Sequence, residues 1–238
     1  MAKLLQYILA SALIVQVYSI DFDSSSEECD ENGRPIGGGG GHNHGGGWGG
    51  GGGGNGGGNG GQNGCERGWK FFERPISGWC IKVFAGHFDQ EIAETKCKAE
   101  GATLSGLQGF NEINYIVEEA IKVIPQGSGS VWIGAKRREA CMKKGSKCEK
   151  TDTFYWTDGT TSGTTGFNWN AGQPDNAWSS TQNCMVLLAS PSDTVLVRGH
   201  TWVNKQLDDT QCTLENAHGA SPRRHEAFAC GKKPSRRR

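Results

Sequence analysis

The 238-residue sequence lacks net charge: 25 Lys and Arg residues offset 25 Asp and Glu residues. No bulk electrostatic pull toward nucleic acid or an anionic membrane surface follows from that balance. Beyond its N-terminus it lacks any apolar run long enough to predict a membrane span. It has no GxSxG, no HExxH and no Walker loop, and no His pair is placed for zinc between Cys65 and Gly231. An enzymatic reading therefore finds no support. It also has no N-x-S/T sequon, so N-glycosylation is not expected.

What is present begins with residues 1–19, "MAKLLQYILASALIVQVYS", which carry Lys3, an apolar stretch from Leu4 to Val17 and small Ser19. This is the pattern of a secretory signal peptide, with a membrane anchor as the alternative although the segment is at the short end for a span, and it predicts a secreted, extracellular protein. In that compartment most of the nine cysteines are expected as disulfides. Residues 20–36 form an acidic segment containing Cys29. Residues 37–64 are almost entirely glycine, the residue that makes up 38 positions of the chain. Such a run buries too little apolar surface to offset the entropy of ordering it, and reads as a flexible linker spanning about 30 Å. Within it, His44–Trp48 ("HGGGW") is similar to the copper-binding unit of prion repeats, but the unit occurs once and the spacer reading is preferred. Residues 65–231 have normal hydrophobic content and are about one domain long. Residues 232–238 are a basic tail.

Two helices are expected in the folded region. Ile92, Thr95, Lys96, Cys97 and Ala99 follow helical spacing, ended by Gly101. Ile113, Ile116, Val117, Ala120, Ile121 and Ile124 recur at three- and four-residue steps before Pro125. "SVWIGA", "TFYWTD" and "NCMVLLA" read as short strands, with "HTWVN" a weaker candidate. Long Gly-, Ser-, Thr-, Asn- and Asp-rich stretches separate them. Two helices with short strands and long loops predict an α+β domain, and long loops in a compact domain are usually functional or stapled.

Five short motifs occur in order: "WIGA" at Trp132–Ala135, "FYWTDG" at Phe154–Gly159, "FNWNAGQPDN" at Phe167–Asn176, "QNC" at Gln182–Cys184 and "LDDTQC" at Leu207–Cys212. Together they resemble the C-type lectin domain over all of Cys65–Gly231, with the secreted C-type-lectin-like proteins of nematodes as the nearest subgroup. The resemblance implies a C-type lectin fold, with two helices flanking short antiparallel sheets and a long loop region. Sequence alone leaves 105 ways to pair eight cysteines. The resemblance implies Cys65–Cys80, Cys97–Cys230 and Cys184–Cys212, which leaves Cys141 and Cys148 to close a local loop. Cys29 is left over, and an odd cysteine in a secreted chain points to an interchain bond or a capped thiol; the former would make a disulfide-linked homodimer. Trp132, Trp156 and Trp169 match core positions of the family. Trp69 and Trp79 are expected near the N-terminal hairpin, Trp202 on a strand under the loops, and His87, His200, His218 and His225 at the surface or in loops.

The resemblance also assigns a site. Gln173, Asp175, Gln182, Asp208 and Asp209 all present oxygen, as Ca²⁺ requires. In sugar-binding family members two vicinal hydroxyls complete the ion's shell, and the X–Pro peptide before the third motif residue is cis. This chain departs twice: Gln182 replaces the usual Glu, and Leu207-Asp208-Asp209 replaces Trp-Asn-Asp. One change removes a carboxylate and the other adds one. Gln173 donates and Asp175 accepts, the polarity that marks galactose-type preference in the family. Trp178 is the candidate ring for stacking on galactose, although family members carry it where this chain has Ala177. The implied carbohydrate-binding set is thus Gln173, Asp175, Trp178, Gln182 and Asp208. The expected function is calcium-dependent carbohydrate binding; the alternative is a calcium-independent protein-binding module on the same fold, and a third reading is a glycine-rich matrix or antimicrobial protein in which the spacer and basic tail matter more than the domain. Nematode relatives are associated with recognition of microbes, hence innate immunity.

Overall fold

In the computed structural model, residues 62–143, 145–214 and 223–235 are described, without the side chains of Gln62 and Trp178. They lie within the second of two contact-defined units, Gly56–Arg238. The expected signal peptide, the acidic segment with Cys29, the glycine run to residue 61, His218 and residues 236–238 fall outside the described residues.

The strongest sequence periodicity forms α2 (Phe110–Val123), which buries Ile113, Ile116, Val117 and Ala120. Its C-terminal N–H group at Ile124 still bonds to Ala120, and Pro125 follows. The first helix, α1 (Gln90–Ala99), is also where spacing places it, but its buried face is Gln90, Ala93 and Cys97. Ile92 is 47% exposed, so a single large apolar residue does not mark the inner face of this helix. Instead the Gln90 carboxamide donates to the Ile133 and Ala135 carbonyls at 3.4 and 3.3 Å.

Ten strands lie among the described residues, in chain order: β1 (Lys70–Phe72), β2 (Trp79–Ala85), β3 (Thr103–Leu104), β4 (Gly129–Arg137), β5 (Phe154–Trp156), β6 (Cys184–Ala189), β7 (Thr194–Val197), β8 (His200–Val203), β9 (Leu207–Thr210) and β10 (His225–Lys232). A short α3 (Ala177–Ser180) sits between β5 and β6. The main sheet runs β1-β2-β10-β4-β6-β9, with β3 added to β10 and β5 to β4, while β7 and β8 form a separate hairpin. The expectation of antiparallel sheets holds except at the centre, where β10 runs parallel to β4. β10 also extends to Lys232, one residue into the stretch read as a tail, and Ser235 bonds to the Gly64 carbonyl at 2.8 Å.

The central strands are covered on both faces, which is why "VWIGA" and "CMVLLA" are continuous apolar runs rather than alternating ones. On one face α2 packs with Ile81, Val131, Ile133, Met185 and Leu187. On the other lie Trp69, Trp132, Val186 and Phe228 among the cysteines. The glycine of "WIGA" is required by a close approach: a Cβ on Gly134 would lie 2.1 Å from the Leu104 carbonyl oxygen. Among the described residues four disulfides join Cys65 to Cys80, Cys97 to Cys230, Cys141 to Cys148 and Cys184 to Cys212. The second spans 133 residues and ties α1 to the last strand. Closing so long a loop is worth roughly 4–5 kcal/mol in the chain-entropy model.

Candidate functional site

The loop after β5 and the strand β9 meet beside the Cys184–Cys212 disulfide, and the first contacts between them belong to Asp209. Its Oδ1 accepts the Asp175 N–H at 3.0 Å and its Oδ2 accepts the Asn176 N–H at 2.8 Å. Oδ2 also pairs with Arg137 at the end of β4. Arg137 donates Nε to the Gln182 carbonyl at 2.8 Å and lies over the Phe154 ring at 4.7 Å. Gln182 closes the circuit by donating Nε2 to the Asp209 carbonyl at 2.9 Å. Asp209 is fully buried, so its carboxylate acts as a staple for the Gln-Pro-Asp loop. Burial pushes its pKa up to about 6, against the pull of Arg137 and the two N–H donors.

The loop itself turns at Gly172 and Asn176, both with positive φ, and its Gln173–Pro174 peptide is cis. Gln173 Oε1 accepts the Asp175 N–H at 3.0 Å, and Asp175 Oδ1 accepts the Ala177 N–H at 3.0 Å. Both side chains are thus partly committed to local turns of the kind Asp favours.

Asp208 faces the other way, as alternation along β9 requires. Its Oδ2 pairs with Arg223, just before β10, and its Oδ1 is buried without a hydrogen-bond partner. Burial pushes its pKa up to about 7, outweighing Arg223, and the Asp209 and Asp175 carboxylates add to the rise. Arg223 lies over the Trp202 ring at 3.6 Å. Next along, His225 stacks on Trp132 with centroids 4.4 Å apart. It is buried rather than at the surface as expected, and burial, aided by Arg223 and His87, pushes its pKa down to about 3. It therefore stays neutral.

A cavity of about 730 Å³ opens among these groups, lined by Gln173, Asp175, Gln182, Trp202, Asp208 and Arg223 among others. Four of the five residues assigned to calcium therefore share one cavity wall, and Asp209 does not line it. Of the carbohydrate set, the Trp178 side chain lies outside the described residues. Sequence reasoning missed Arg137, Arg223 and His225. Their charges and ring are visible in "KRRE" and "RRHE", but nothing local pairs them with Asp208, Asp209 or Trp132.

Ca²⁺ takes 6–8 oxygen ligands, with carboxylates supplying the charge. Here Asp209 has both oxygens occupied, and one oxygen of Asp208 is held by a guanidinium. Among the described residues no three His, Cys, Asp or Glu side chains are grouped to hold a metal. As arranged, the residues do not fit a calcium ion. They do offer a neutralised polar wall with unpartnered acceptors beside apolar Ala171 and Val197.

Comparison with known proteins gives three findings. Residues 73–233 match the family described as C-type lectin domain-containing protein 141/158. Among curated proteins, human layilin is 28% identical over 142 residues, covering 58% of this chain and 35% of layilin. The human versican core protein is 29% identical over 170 residues, covering 71% of this chain and 4% of versican. The chain thus spans well under two thirds of either relative. Among solved structures, the lectin CEL-I from Cucumaria echinata is 18% identical with a TM-score of 0.48, covering 73% of this chain and 100% of that one. A structure described as a Ca²⁺-dependent type II antifreeze protein in its Ca²⁺-free form is 20% identical with a TM-score of 0.45, covering 71% of this chain and 100% of that one. No helix among the described residues is long and apolar enough to cross a membrane.

Proposed function

The chain belongs to the C-type lectin domain-containing protein 141/158 family, and from that premise we propose that residues 65–231 act as a carbohydrate-binding domain. The fold is that of a non-catalytic recognition family whose members bind carbohydrate or protein. One observation carries the choice of carbohydrate: Gln173, Asp175, Gln182 and Asp208, the residues singled out for sugar contact, line a single cavity together with Trp202 and Arg223. Polar groups that fix orientation, set in a partly apolar concavity, are what a small ligand site needs. A glycan array run in calcium and in chelator tests this. Retention of defined glycans is expected, and retention of none in either buffer overturns the reading.

The finer form of the reading is galactose-type, and its support is the donor–acceptor order of Gln173 and Asp175. The calcium dependence that the resemblance implied finds no such support, because arginines hold Asp208 and Asp209. Exchanging the polarity with Gln173→Glu and Asp175→Asn is expected to move preference from galactose toward mannose. An unchanged preference removes these two side chains from sugar reading. A second reading, a calcium-independent protein-binding module, draws support from the two arginines that occupy the carboxylates.

The remaining proposals concern setting. Four disulfides suit the oxidising extracellular space in which this fold typically works. Secretion through residues 1–19 fits that setting, as does membership of the nematode subgroup with its glycine-rich linker and part in microbial recognition. Cys29 as an interchain bridge would give a homodimer with two binding domains and the avidity that follows. Non-reducing electrophoresis of wild type and Cys29→Ser decides it: a band unchanged by the substitution rules the bridge out.

A further inference from the structure

Eight buried polar side-chain atoms among the described residues have no hydrogen-bond partner. Four of them, Gln182 Oε1, Asp208 Oδ1, Arg223 Nε and His225 Nδ1, belong to residues lining the one cavity described above. The other four, on Ser77, Trp169, Asn183 and Gln206, belong to residues that do not line it. Gln182, Asp208 and His225 are 7%, 6% and 2% exposed, so these atoms are removed from bulk water. Buried polar groups are ordinarily satisfied, and a concentration of exceptions calls for a polar partner. The set comprises two oxygen acceptors, one N–H donor and an imidazole nitrogen that is a donor or an acceptor according to its tautomer.

A hydroxyl group both donates and accepts, so neighbouring hydroxyls of one molecule satisfy such a mixed set. The formal charges on the cavity wall balance, with Asp175 and Asp208 against Arg198 and Arg223, so no strong excess of either sign selects a charged ligand. Ala171, Val197 and Trp202 supply the apolar contact that the C–H face of a sugar ring uses. Calcium does not fit as an intermediary. Arg223 pairs with Asp208, Arg137 pairs with Asp209, and a divalent cation placed between them would meet two fixed positive charges at close range.

We propose that this cavity binds a neutral saccharide directly and without calcium, Arg223 taking the role of the ion by holding Asp208 and contacting ligand hydroxyls. The proposal rests on the carbohydrate reading and specifies its mode.

The test uses the full, disulfide-bonded chain and immobilised neutral saccharides, with free galactose, mannose, glucose and N-acetylglucosamine as competitors, in millimolar calcium and in chelator. Equal retention in both buffers is expected, with identical melting curves. Arg223→Met is expected to weaken binding roughly ten- to hundredfold, the scale for groups left unpaired. Should that variant fail to fold because Asp208 is left alone, Arg223→Met combined with Asp208→Leu removes both partners, keeps the fold and shows the same loss. Retention in calcium only overturns this inference and leaves the carbohydrate reading standing. Retention in neither buffer overturns both. Wild-type binding by folded Arg223→Met, or by the double variant, also overturns it.

Discussion

Two buried arginine–carboxylate centres are built on opposite principles. Around Arg74 every donor is used. Nε and Nη2 grip Glu112 at 2.7 and 2.8 Å, and Nη1 reaches Asp158, Thr160 and Thr161 at 2.8–2.9 Å. Nη2 also reaches Ser105 and the Gly106 carbonyl, and the guanidinium lies 4.8 Å from the centre of the Trp79 ring. Asp158 in turn accepts the N–H groups of Gly106, Thr160 and Thr161. Around Arg223 the pairing with Asp208 leaves Asp208 Oδ1, Arg223 Nε, Gln182 Oε1 and His225 Nδ1 without partners. A closed polar network stabilises the scaffold it joins. An open one lines the cavity where the proposed ligand would bind.

The largest break in this comparison is Arg74→Met. It leaves Glu112 and Asp158 buried and uncompensated, at a cost of ~3–5 kcal/mol. At ~2–4 °C per kcal/mol for a domain of this size, melting falls by about 10 °C or the chain does not fold. A midpoint within a degree of wild type would show that the network is not structural. Arg137→Met comes next, at about 1–3 kcal/mol. Its partner Asp209 keeps two backbone N–H donors and can take up a proton, so thermal unfolding should show a smaller loss than for Arg74→Met.

The buried carboxylates around Arg74 and those of β9, which pair with Arg137 and Arg223, should also respond oppositely to pH. Burial raises the Asp158 carboxyl, but the Thr161 and Thr160 N–H groups and Arg74 outweigh it, so its folded pKa lies below the ordinary value. Its stabilising contribution is present above about pH 4 and is lost as pH falls through the lower folded pKa. Asp208 and Asp209 are raised by burial to about 7 and about 6. Their contribution is full below about pH 4 and is lost as pH rises through those values. Stability is therefore expected to peak on the acidic side of neutrality. Melting curves from pH 3 to 8 read this out, and Asp208→Asn should flatten the arm between about 5 and 7. A monotonic rise to pH 8 would contradict the assignment.

Gln182→Leu has the smallest expected effect on stability. It gives up one 2.9 Å hydrogen bond to the Asp209 carbonyl and an oxygen that has no partner, a change of about 1 kcal/mol. Saccharide retention should nevertheless drop. Lost stability with retained binding would place Gln182 on the structural side of the comparison.

Much of this fold is legible in local sequence. The three- and four-residue steps in α2 were sufficient, because a helix with one apolar face writes its period into the chain. The strands β4, β5 and β6 were visible as apolar and aromatic runs. β10 was not: "HEAFACGK" lies between β2 and β4, covered on both faces, and such a strand shows no alternation to read. The inner face of α1 was read only in part: Cys97 belonged to the expected pattern and is buried, but Ile92 is exposed and Gln90 is buried through a carboxamide bond rather than through apolar bulk.

At the candidate site, motif order brought Gln173, Asp175, Gln182 and Asp208 forward together, and tertiary structure set them on one cavity. Their electrostatic state is another matter. Asp208 finds Arg223 fifteen residues later, and Asp209 finds Arg137 seventy-two residues earlier. Sequence by itself determined the apolar periodicities, the inventory of oxygen-bearing side chains and the number of cysteines, all of which are local or countable. Only the folded chain decided which carboxylate meets an arginine and which oxygen is left unpaired. Ion pairing and desolvation depend on distances across a twisted sheet, and those are set by packing between segments far apart in the chain.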